Sequence, residues 1–130
     1  MTIACTAANV RPINPLPNDV IGDVAANATI TAGQLVYHDG TGWAVAVLTN
    51  GTTGFAVGVA LVGGSSGDYL PVLTRGRVTG FSGLTNGARL YSAASGLVGV
   101  AHPQYSYDVG FAIGTTDLFF CGVSGDVHAS

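Results

Sequence analysis

Three histidines and two cysteines are the residues of this chain best suited to metal binding or nucleophilic catalysis, and their spacing argues against both. His38, His102 and His128 form no pair at the short separation of a zinc site, and there is no Cys-x-x-Cys. Cys121 and His128 share the C-terminal tail, but two ligands alone do not make a metal site. Cys121 ends the apolar run Leu118-Phe119-Phe120, where a buried structural thiol is expected. Gly80-Phe81-Ser82-Gly83 falls short of the Gly-x-Ser-x-Gly nucleophile elbow and reads as a turn. Gly63-Gly64-Ser65-Ser66-Gly67 has the glycines of a phosphate loop without its lysine, and reads as a flexible loop. The expectation is a chain that is not an enzyme and holds no cofactor and no metal.

The composition narrows this further. The 130 residues contain no Lys and no Glu, and charged residues make up 8%, against roughly 25% in an ordinary soluble domain. Without Lys there is no Schiff base, no Walker A lysine and no biotin or lipoate attachment. Without Glu, a paired-carboxylate mechanism would rest on Asp alone. The basic set is Arg11, Arg75, Arg77 and Arg89, and the net charge is −3, so no basic stripe exists for nucleic acid. The longest apolar stretch, Phe55 to Val62, is too short to span a bilayer as a helix. A mean hydropathy of +0.46 with so little charge suits a protein whose faces are covered by partner copies.

The elements that would position any site are strands. From Thr29 onward, short apolar runs alternate with clusters of Gly, Asn, Asp and Ser, the pattern of an all-β domain. The reading places strands at 34–38, 43–48, 55–62, 69–74, 77–80, 88–92, 97–101, 109–114 and 118–123. Asp39-Gly40 and Asn50-Gly51 mark tight turns. One pattern occurs twice. Thr31-Ala32-Gly33-Gln34-Leu35-Val36-Tyr37 is echoed about 54 residues later by Thr85-Asn86-Gly87-Ala88-Arg89-Leu90-Tyr91. Gly54-Phe55-Ala56-Val57-Gly58 is echoed by Gly110-Phe111-Ala112-Ile113-Gly114. Gly33 and Gly87 are expected to take positive φ just before their strands. The fold class expected is all-β: a compact β-barrel or β-sandwich built from two related β units with rough two-fold symmetry, spanning about 29–62 and 83–123 of a domain at 29–130.

Residues 1–28 differ. Arg11-Pro12-Ile13-Asn14-Pro15-Leu16-Pro17 is proline-rich, and proline enforces extended backbone. An extended arm is expected, packed on its own domain or reaching a neighbouring subunit. Arg75-Gly76-Arg77 is the one local basic cluster and reads as a hairpin rim. The candidate partner contacts are therefore Arg11, Pro12, Ile13, Pro15, Leu16, Pro17, Arg75 and Arg77. Cys5 and Cys121 read as two thiols, with a pairing that would tie the termini left open.

Thr29-Ile30-Thr31-Ala32-Gly33-Gln34-Leu35-Val36-Tyr37, Ala56-Val57-Gly58-Val59-Ala60-Leu61, Gly67 to Val78 and Leu84 to Ser92 together resemble the head decoration, or capsid cement, proteins of tailed phages. The resemblance covers about residues 29–123. It implies an all-β structural protein on the outer capsid surface of the virion, bound to the major capsid protein and to other copies of itself, as a trimer or dimer. It carries over no catalytic residue. A second reading is a small β domain that binds a glycan or other ligand, with Trp43, Tyr69, Tyr105 and Tyr107 as its stacking rings.

Overall fold

The computed structural model describes residues 3–12, 19–48, 56–101, 106–120 and 127–128. The chain is all-β, with an eight-strand antiparallel path curled into a half-barrel. In chain order the strands are β1 (Ala4–Cys5), β2 (Arg11–Pro12), β3 (Asp19–Ile21), β4 (Leu35–His38), β5 (Trp43–Val45), β6 (Gly58–Ala60) and β7 (Val72–Thr79). These are followed by β8 (Phe81–Ser82), β9 (Arg89–Ser92), β10 (Val98–Gly99), β11 (Ser106–Ile113), β12 (Asp117–Phe120) and β13 (Val127–His128). The path runs β10-β9-β11-β12-β7-β6-β4-β5.

The repeat is real, and its register is set by hydrogen bonds. The Gly33 N–H donates to the Ala60 carbonyl, and the Ala60 N–H donates to Gln34. In the same way Gly87 donates to Ala112, and Ala112 to Ala88. Gly33 and Gly87 take φ of 91° and 81° as expected. The first unit is thus β5-β4-β6-β7 and the second β10-β9-β11-β12, strand for strand. This corrects the sequence alignment of the Phe-Ala pentapeptides. Gly58 matches Gly110, because they face the equivalent residues Val36 and Leu90; Gly114 lies outside the match.

The two units turn opposite faces to the core, so the expected two-fold relation does not hold. In the first unit the cross-strand row Leu35, Val59 and Leu73 enters the main core. The row behind it, Val36, Ala60 and Val72, enters a second cluster with Ala26, Ile30, Trp43 and Leu70. In the second unit it is Leu90, Ala112 and Leu118, the counterparts of that rear row, that fill the main core. Full burial of side chains this size contributes about 1.5–3 kcal/mol each, so the two clusters dominate the energetics.

Strand β7 joins the units. Val78 has Leu118 on one side and Pro12 on the other, and Leu73 lies between Val59 and Val20. The expected hairpin at Arg75-Gly76-Arg77 is absent. These residues lie inside one eight-residue strand, where Gly76 takes φ 139° and the pairing with β3 slips. A glycine between two charged residues imitates a turn, but here Gly76 continues the strand opposite Phe120, and the slip falls at Thr74, between the partners of Asp19 and Val20. Gly63–Gly67 is likewise pinned: Gly64 exchanges backbone bonds with Ile30, and the Asp68 carboxylate accepts from the Ser65 N–H.

The described part of the N-terminal segment packs on its own body. Ile3 and Val10 are buried in the main core. The Ile3 N–H donates to Val98, β1 pairs with β8, and Thr6 donates to Gly80. Residues 13–17 of the proposed arm lie outside the described residues, as does Cys121. Cys5 is a free thiol whose pKa is raised by burial. A thiol kept protonated in this way is a poor nucleophile.

Candidate contact face

The sequence-predicted contacts that fall within the described residues collect along β7. Arg11 stands opposite Thr79, Pro12 opposite Val78, and Arg75 opposite Asp19, while Arg77 stands opposite Phe119. Arg11 and Arg75 are exposed. Among the described residues the ion pairs are Arg77–Asp117 and Arg89–Asp108, and neither Arg11 nor Arg75 takes part. Pro12 sits in a two-residue strand whose other side has no described partner, a place where a missing N–H does little harm.

From Arg77 a row crosses the outer face of the second unit. Arg77 on β7 faces Phe119 on β12, Phe119 faces Phe111 on β11, and Phe111 faces Arg89 on β9. The two rings stack with centroids 5.5 Å apart and 20° between planes. Phe111 is 41% exposed, unusual for a phenylalanine in mid-strand. Each guanidinium is anchored by a carboxylate. Arg77 Nε donates to Asp117 Oδ2 at 2.7 Å, and Arg89 Nη1 donates to Asp108 Oδ2. In each pair a partly exposed guanidinium meets a largely buried carboxylate, which fixes the direction of the arginine.

Burial alone would raise the Asp117 carboxyl. Hydrogen bonds from Thr79, Arg77 and Thr116, with the charge of Arg77, more than offset it and hold the carboxyl below its ordinary value. A depressed carboxyl stabilises the fold above its unfolded pKa of about 3.9, and that contribution is lost as pH falls through the lower, folded value. Asp117→Asn should therefore lower the urea midpoint at pH 7 and flatten its fall below about pH 4. An acid limb as steep as in the wild type would show that Asp117 is not its source.

Phe111 and Phe119 are absent from the sequence-predicted contacts. The tight connection Gly114-Thr115-Thr116 between β11 and β12 sets them opposite one another, and reading it as a hairpin would have found the pair. The ring set proposed for a glycan does not assemble. Trp43 is 2% exposed and Tyr107 7%, both in the interior, while Tyr69 is 67% exposed. Tyr105 lies outside the described residues. One hollow, about 470 Å³, is lined by aliphatic groups such as Val10, Ile30, Leu61 and Val62, with neither a ring nor a charge to hold a sugar.

No cluster of three metal-ligating side chains occurs among the described residues. No helix among them is long and apolar enough to cross a membrane. The class these features define is an all-β domain of two unequal repeats with an arginine- and phenylalanine-bearing outer row. No family model matches the chain, and no curated protein matches it.

Proposed function

We propose that the protein is a capsid decoration protein, which binds the outer surface of a shell of major capsid protein and braces neighbouring subunits. The observation that carries this reading is the gathering of Arg11, Pro12, Arg75 and Arg77 along β7, where the N-terminal segment runs beside the strand shared by both units. Arg11 and Arg75 are exposed there, so guanidinium groups stand ready to meet carboxylates or carbonyls of another protein. Specific contacts of this type bury about 1,600 Å² in total, and many copies on one shell add avidity. The resemblance to capsid cement proteins agrees with it. Localisation on the outside of the virion follows from the same reading, and nucleic acid and membrane are not among the partners.

Truncating the N-terminal segment is a poor test, because it removes Ile3 and Val10 from the core. Point substitutions at exposed positions are better. Wild-type protein is expected to co-sediment with purified expanded capsids at saturable stoichiometry. Arg11→Ala with Arg75→Ala should weaken that binding about tenfold, or roughly 1.4 kcal/mol, with an unchanged melting temperature. Failure of the wild type to bind intact capsids would refute the assignment. Undiminished binding by the variant would move the contact away from β7.

A further inference from the structure

The internal repeat indicates what covers the outer row. In the first unit the row Leu35–Val59–Leu73 is buried in the main core, together with residues of the second unit's sheet. Its counterpart in the second unit is Arg89–Phe111–Phe119, which faces outward and continues across β7 to Arg77. Both rows have the same pairing pattern, with a glycine, Gly58 or Gly110, immediately before the central residue. The same repeat therefore presents one copy of this face to the other unit across the core and leaves the other copy outside it. Stacked sheets lie about 10 Å apart with interleaved side chains, and the Phe111–Phe119 stack is the apolar centre such a contact needs.

We infer that the row Arg89–Phe111–Phe119–Arg77 is a self-association face, on which the same row of a second copy docks. Two observations favour a second copy over other occupants. The row is a palindrome across its four strands. A two-fold axis between β11 and β12 therefore returns it onto itself, setting Phe111 over Phe119 of the other copy, as an isologous contact requires. Each arginine also carries its own carboxylate, Asp108 or Asp117. Two copies thus meet with their like charges already compensated, and the face offers no net charge to select a strongly acidic or basic partner. Aromatic centres rimmed by arginine are also where interface energy concentrates. This inference does not rest on the shell-binding proposal, and its readouts need no capsid.

Sedimentation velocity from micromolar to millimolar protein should show a reversible monomer–dimer equilibrium. The double variant Phe111→Thr with Phe119→Thr keeps β-favouring residues on the strands and should weaken association at least tenfold. The wild type supplies a check that no substitution can spoil. On dilution, the ring proton resonances of Phe111 and Phe119 should shift together with the degree of association. A wild type that stays monomeric throughout, a variant that associates as well as the wild type, or dilution shifts confined to other residues would each overturn the inference.

Discussion

Gly110→Ala should lower the stability of the fold by about 3 kcal/mol or more. Gly110 takes φ 152°, a conformation that side chains rarely adopt, and a β-carbon there would land on the Phe119 carbonyl oxygen well inside contact distance. The obstacle is backbone, so no rotamer relieves it. Nor can Phe119 retreat, because β12 is held by β11 on one side and by β7 on the other. Strain combined with a forced backbone shift costs about 3 kcal/mol or more, a large part of the roughly 5–15 kcal/mol that keeps a domain folded.

Gly114→Ala is the matched control. It also has positive φ, 68°, but open space where the side chain would go. It should lose only about 1–2 kcal/mol from the left-handed conformation. Urea unfolding followed by circular dichroism compares the two, and equal losses would show that close strand approach is not why Gly110 is glycine.

Trp43→Ala is the second large effect, an expected loss of about 3–5 kcal/mol. Trp43 is the largest fully buried side chain and anchors the cluster of Val36, Ala60 and Val72, with His38 edge-on to its ring at 5.8 Å. The segment over that cluster hangs on the same residue. The Trp43 N–H donates to Ala25, and the Asn27 N–H donates to Trp43. The indole Nε1–H, by contrast, is buried with no hydrogen-bond partner among the described residues, a defect of about 1–3 kcal/mol. Trp43→Phe removes that donor along with part of the ring, so it should cost much less than Trp43→Ala. The gap between the two in denaturant unfolding is the measurement. A Phe variant as damaged as the Ala variant would mean that the indole nitrogen has a partner.

Much of the fold was legible because turn chemistry is local. Asp39-Gly40 reads as a hairpin from two residues, and in the structure Gly40 takes φ 104° while the Asp39 carboxylate accepts the N–H groups of Thr41 and Gly42. Gly33 and Gly87 were legible for the same reason. What depends on distant strands was not. The register of the repeat is set by bonds to Ala60 and Ala112, and the matching Phe-Ala pentapeptides pointed elsewhere. Arg75-Gly76-Arg77 looked like a reversal because its neighbours β2, β3 and β12 come from far along the chain. At the contact face the arginines were visible as charges, whereas Phe111 and Phe119 looked like core. Only the knowledge of which face each unit turns inward separates the two.

The stitching of the N-terminal segment has a consequence for the order of events in synthesis. Ile3 bonds to Val98, and Cys5 pairs with Phe81. Residues 3–5 must therefore wait for residues 81–98, which are made after them, before they find their places. Closing loops of that length slows folding relative to local pairing, and the waiting segment is exposed meanwhile. The body of the chain can begin to assemble without it, and the segment around Ile3 and Cys5 then fastens the structure as a late latch.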